Sequence, residues 1–323
     1  MQRVQRTRGR RVSLAMLLAA LAATILAACG SSSSPGASSL LQQTFSGTHR
    51  VDSGNLDLSL TIEPSGSGTA SAPISLSFGG PFQSTGSGKL PRSDFSVTVS
   101  ALGQSGSLGI VSTGTAGYVT LQGTSYRLPQ ATFQKLESSF AGITSSGSGA
   151  GSGTLAGLGI QPLHWLTNPT VVGTENMAGA TTTHIHAGVN VSGFLNDLNT
   201  FLRKASTIGV SGANRLSGGL SPKARDRIAK EIQNPSFDVW TGNSDKIMRR
   251  MSISLLLSVT GQVSTLFGGM RSAAIALTVQ YADLNQPQTI TAPTTVRPFS
   301  EFTGKLRSLG QALTGALGAT TSG

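Results

Sequence analysis

The chain has 323 residues with 24 Lys+Arg, 13 Asp+Glu and one cysteine; 38% of its residues are hydrophobic, 11% are charged, and 41 are glycine. That apolar content excludes wholesale disorder, and a single cysteine excludes an intrachain disulfide framework and a cysteine-rich metal site. Arg3, Arg6, Arg8, Arg10 and Arg11 crowd the N-terminus; 24 less these five leaves 19 basic side chains against 13 acidic, with no dense basic run interleaved with aromatics, so no nucleic-acid partner is expected.

Residues 1–28 read as a lipoprotein signal peptide. The basic start is followed by an apolar stretch from Val12 to Ala28, too short to span a bilayer comfortably. It ends Leu26-Ala27-Ala28-Cys29-Gly30. Small residues before a cysteine resemble the lipobox of bacterial lipoproteins, which implies diacylglyceryl attachment at Cys29, cleavage before it, and often acylation (palmitate among the acids used) of the new terminus. Two or more acyl chains hold a protein stably to a membrane, where one does so marginally. Residues 29–39, rich in Ser and Gly, read as a flexible tether. A single domain is expected over 40–299.

Alternation dominates the first half of that domain. Leu56, Leu58, Leu60 and Ile62 oppose Asp57, Ser59, Thr61 and Glu63; Ile74, Leu76 and Phe78 oppose Ser75 and Ser77; Phe95, Val97 and Val99 oppose Ser96, Thr98 and Ser100. Period two of this kind predicts half-buried strands with one apolar face. The intervening Gly/Pro/Ser breaks are short, which favours antiparallel hairpins. Further strands are expected at Ser107–Thr113, Gly117–Gln122, Thr181–Val191, Phe237–Thr241, Lys246–Val259 and Ala273–Asp283.

Helical spacing is scarcer. Phe133, Leu136 and Phe140 follow Pro129; Phe194, Leu195, Leu198, Phe201 and Leu202 form an amphipathic stripe; Ser221-Pro222 reads as N-cap and first helical residue, with Ile228 and Ile232 on one face up to Asn234-Pro235. Segment 300–323 reads as a C-terminal helix or a disordered tail. Gly/Ser-rich insertions are read near 142–159 and 206–219.

No catalytic constellation emerges. There is no Gly-x-Ser-x-Gly elbow and no phosphate-binding loop, and Gly151-x-Gly153-x-x-Ala156 lies in low-complexity sequence. His184 and His186 share one strand face, opposite Ile185, but no acid lies near them in sequence; a third ligand such as His164 or His49 would have to arrive by folding. No metal, cofactor or enzymatic activity is expected. Glu175, Asp238 and Asp245 read as solvated or turn-capping acids, and Trp165 and Trp240 as packing anchors.

The order of elements is then informative. Gly117–Tyr126, Leu163–Pro169, the stretch Val172-Gly-Thr-Glu175 running on to Thr183-His184, Phe237-Asp-Val-Trp240, and Lys246 through Arg249-Arg250 together resemble the mycobacterial LppX/LprAFG lipoprotein family. More distantly they resemble the LolA/LolB lipoprotein-carrier fold. The resemblance covers roughly Thr44–Asp283. It implies an α+β fold: a strongly curved antiparallel sheet, an open half-barrel, with a few helices on its concave face. It also implies an apolar cavity holding lipid or glycolipid acyl chains.

The residues independently support a version of this. A one-faced apolar sheet must bury that face, and the few amphipathic helices are not enough to cover so many strands. Candidate cavity residues are Leu58, Leu60, Phe95, Val97, Val99, Leu255, Ile275 and Leu277, with Cys29 the lipid attachment site. The expected function is an anchored lipoprotein on the outer face of the bacterial cell membrane that binds membrane lipids or glycolipids for transport or presentation across the envelope. The alternative is a ligand-free scaffold for an envelope transporter or enzyme.

Overall fold

A computed structural model describes residues 36–46, 49–66, 72–101, 103–145, 159–207, 219–259 and 270–308. The expected signal peptide, Cys29, the tether as far as residue 35, most of both Gly/Ser insertions and the tail beyond 308 lie outside the described residues.

Strands form where alternation predicts them. After helix α1 (Ala37–Ser46) come β1 (Ser53–Gly66), β2 (Ile74–Gln83), β3 (Arg92–Ala101), β4 (Gln104–Ser112), β5 (Gly117–Leu121) and β6 (Thr124–Arg127). Helix α2 (Gln130–Ser145) and a short 3-10 turn at Pro162–His164 lead to β7 (Leu166–Met177) and β8 (Ala180–Val189). Helices α3 (Val191–Thr207) and α4 (Pro222–Glu231) precede β9 (Ile232–Gly242), β10 (Met248–Ser258), β11 (Met270–Ala282) and the two-residue β12 (Arg297–Pro298). A final helix, α5, is described over 299–308. Among the described residues no helix is long and apolar enough to cross a membrane.

Local chemistry accounts for several boundaries. Ser221 caps α4 as its sequence predicts: Oγ accepts the Ala224 N–H at 3.2 Å, and Pro222 occupies the first turn. The helix stops at Glu231, short of the expected Asn234-Pro235, because Ile232 is already extended and opens β9. Two-residue turns with both central residues at positive φ join β5 to β6 (Gln122, Gly123) and β7 to β8 (Ala178, Gly179), the geometry that matches the twist of the flanking strands.

The twelve strands form one sheet in the order β12-β6-β5-β4-β3-β2-β1-β11-β10-β9-β8-β7. Every pairing is antiparallel except β12 on β6. Two consecutive meanders, β1–β6 and β7–β11, are therefore joined side by side along a single seam, β1 against β11.

The strongly curved half-barrel expected above does not form. The sheet is neither closed nor strongly curled, and β7 and β12 end as its two opposite edges. The physical reason lies in the register. Bending a sheet sharply takes bulges or kinks at repeated positions. Here register shifts occur only between Ser65 and Gly66, at two places in the β9–β10 pairing and at two in β7–β8, while the pairings from β1 through β6 carry none.

Two separate buried clusters replace one central core. The larger joins Leu40, Leu41 and Phe45 of α1 and Trp165 to Ile185, Phe237, Val239, Met251 and Ile253. The smaller joins Val119, Leu121 and Tyr126 to Phe302 of α5. No element is predicted from sequence at 37–46, yet α1 contributes four buried apolar side chains, Ala37, Leu40, Leu41 and Phe45.

Candidate functional site

The pairing register assembles one apolar surface across the sheet. In its central row, Leu121, Leu108, Val97, Phe78 and Leu58 of the first meander continue directly into Val279, Met251, Val239, Ile185 and Val171 of the second. A parallel row runs Val99, Leu76, Leu60, Leu277, Ile253, Phe237, Ala187. Directly paired residues project to the same side of a sheet, so every predicted cavity residue shares this face. Leu58 and Val97 lie in the central row, and Leu60, Val99 and Leu277 in the next. Leu255 pairs with Ile275 beyond them, and Phe95 with Ile110 on the other side.

Among the described residues, the two buried clusters that join helices to this face lie at its flanks. The cluster that α1 forms with Trp165 lies over β8–β10, and the Trp165 ring also packs edge-on against Phe194 of α3. The α5 cluster lies over β5 and β6. Between them Leu58, Leu60, Phe95, Val97, Leu255, Ile275 and Leu277 are only half-buried, Ile74 is 39% exposed and Val99 is 45% exposed. The result, among the described residues, is an apolar bed along β10, β11 and β1–β3 that neither cluster covers.

The two ends of the bed differ. At the end where β1 begins and β2 finishes, the connection 283–296 is strapped across the strands. Ser53 Oγ donates to the Gln286 carbonyl, the Gln288 N–H to Gln83 Oε1, and Arg92 Nη2 to the carbonyl of buried Ile290. Tyr281 lies at this end beside Leu56 and Phe82, and burial pushes its phenol up from the ordinary value. Ile74 and Val99 stand at the opposite end.

The other face of the sheet is polar, as alternation predicts, and carries the two histidines. Neither His164 nor His49 joins them; acids from neighbouring strands do. His184 Nδ1 lies 3.0 Å from Glu175 Oε1 on β7 and its Nε2 lies 2.9 Å from Asp238 Oδ1 on β9. His186 Nδ1 is 2.9 Å from the same Asp238 oxygen. Glu175 Oε2 accepts from Trp240 Nε1, and the Trp240 ring stacks on His184 at 4.3 Å with the Arg250 guanidinium 5.2 Å from its centre. The histidines thus bracket one carboxylate oxygen, and among the described residues no three His, Cys, Asp or Glu side chains are arranged to hold a metal. Neither the sequence nor the described residues carry a catalytic constellation. Sequence reading missed this network because Glu175 and Asp238 are brought to His184 by strand pairing from 9 and 54 residues away.

A pocket of about 270 Å³ lies along β1, β10 and β11. Its lining mixes Thr61, Glu63, Ser254 and Leu256 with Leu255 and Ile275, two of the expected cavity residues. At the β9–β10 turn Asp245 pairs with Arg249. Burial pushes the Asp245 carboxyl up, but hydrogen bonds from Arg249 and from backbone N–H groups, together with the Arg249 charge, outweigh it and leave the group below the ordinary aspartate range.

No family model and no curated protein matches this chain. Among solved structures it is similar to LprF from Mycobacterium bovis, at 13% identity over 81% of this chain and 99% of that one, with a TM-score of 0.39. It is also similar to the Mycobacterium tuberculosis lipoprotein LppX, at 13% identity over 80% and 100%, TM-score 0.34. A LolA superfamily protein from Nitrosomonas europaea aligns at 10% identity over 79% and 96%, TM-score 0.18. At these identities and TM-scores the likenesses do not place the chain in a family.

Proposed function

We propose that this protein is a lipoprotein, anchored through Cys29 to the outer face of the bacterial cell membrane, that binds acyl chains of lipids or glycolipids and transports or presents them across the envelope. The observation that supports the reading is the middle of the apolar face, which the helix clusters among the described residues leave half-buried. A contiguous apolar surface of this kind on a folded protein marks a site for an apolar partner. Each methylene moved from water onto such a surface contributes about 0.8 kcal/mol, so binding needs aliphatic walls and no reactive group.

The test is native mass spectrometry of protein purified from its own host, alongside Val97→Asp, which puts a charge at the centre of the bed. Co-purifying lipid in the unaltered protein, lost in Val97→Asp, supports the proposal. A consistently ligand-free protein overturns it.

A further inference from the structure

Tyr126 is fully buried on the apolar face, yet its hydroxyl has no hydrogen-bond partner among the described residues. A buried phenol normally finds one, because its body is apolar and its tip is not. The only other such orphan among the described residues, Arg250 Nε, lies beside Trp240 on the opposite face. Tyr126 pairs with Arg297 of β12 on one side and with Val119 on the other, which pairs with Ile110, which pairs with Phe95, so it belongs to a row that runs from beside α5 onto the bed. Phe302 packs 5.5 Å from its ring and Lys305 Nζ sits 5.8 Å from the ring centre. Packing alone would be served by Phe; the hydroxyl and the nearby ammonium are groups that an oxygen-bearing ligand uses.

We propose that Tyr126 is the polar anchor of the lipid site: its hydroxyl donates to an acyl oxygen, a carboxylate or an ester carbonyl, of a chain that lies on the bed and pushes its head past Val119 between β6 and α5, displacing Phe302 from over the phenol, and Lys305 adds attraction for an anionic oxygen. This rests on the lipid-binding reading above and names the ligand chemistry that reading leaves open.

The experiment uses delipidated full mature protein and measures displacement of an anilinonaphthalene sulfonate probe by palmitate, methyl palmitate and hexadecane. Tyr126→Phe weakens palmitate and methyl palmitate about fivefold or more, as loss of one hydrogen bond predicts, and leaves hexadecane unchanged. Lys305→Ala weakens palmitate alone. In the unaltered protein the carbonyl stretch of bound methyl palmitate moves to lower frequency than in hexane, a readout independent of how Tyr126→Phe folds. Equal effects on all three ligands, no effect on any, or an unshifted carbonyl overturns the anchor while leaving acyl binding intact. If the unaltered protein binds none of the three, the lipid-binding reading itself falls.

Discussion

Trp165 and Asp197 are joined across the edge of the sheet: the indole Nε1, on a side chain only 1% exposed, donates to Asp197 Oδ2 at 3.0 Å. The same oxygen accepts the Gln161 N–H at 2.6 Å. One carboxylate of α3 therefore fixes both the chain entering β7 and the ring around which α1, α3 and β9 pack. Asp197→Ala leaves the buried indole N–H without a partner and is expected to lower stability by about 1–3 kcal/mol, read from urea unfolding midpoints. Asp197→Asn, which keeps an acceptor, recovers most of the loss.

Leu41 is 2% exposed within the larger buried cluster. Leu41→Ala should cost about 2–5 kcal/mol, as for other buried large-to-small changes. A much smaller loss in the same unfolding assay would mean that α1 is not an integral part of the domain.

Gly80 has φ +142°, and a Cβ there would collide with the Asp94 carbonyl of β3. Gly80→Ala must either break that approach or distort β2. The expected loss is about 2 kcal/mol or more, with local broadening of amide signals from β2 and β3.

Asp245 makes stability depend on acidity. Its folded pKa lies below the unfolded value, so its contribution is complete above the ordinary aspartate value of about 3.9 and is lost as pH falls through the folded value. The carboxylate is about a third exposed, and solvent screening holds the effect to about 1 kcal/mol. Urea midpoints of the unaltered protein and of Asp245→Asn should differ by a constant amount from pH 7 to pH 5 and converge on further acidification.

His184 ties three strands together. Replacing it with alanine removes two hydrogen bonds and the stack on Trp240, and should cost about 2–3 kcal/mol without changing metal content. Elemental analysis after dialysis should give no stoichiometric zinc in either protein; zinc at one equivalent, lost in the variant, would contradict the placement of these donors.

Much of the sheet was legible because period two survives every substitution that keeps one side apolar: Leu56–Ile62, Ile74–Phe78 and Phe95–Val99 all fall in strands. What the pattern omitted has specific causes. The β5–β6 and β7–β8 turns use Gln122-Gly123 and Ala178-Gly179, which lack the Asn-Gly or Asp-Gly signal that would have marked β6 and β7 as partners. Leu166–Met177 carries Asn168, Pro169 and Gly173 and two register shifts, so its alternation is broken. The side each candidate residue faces followed from sequence; the absence of strong curl did not, since curvature depends on bulges that leave no periodic trace. Glu175 and Asp238 reach His184 only through strand order, and Tyr126 differs from an ordinary core tyrosine only in what its hydroxyl lacks.

The seam between β1 and β11 bears on the order of synthesis. Residues 53–66 leave the ribosome some two hundred residues before their partner at 270–282. Until then the first meander presents β1 as a raw edge, with unpaired backbone groups and alternate leucines, a template for pairing with any other extended chain. Coupling across so long a sequence separation is also intrinsically slow. A chaperone holding residues 53–66 during synthesis would cover that edge until its partner strand is made.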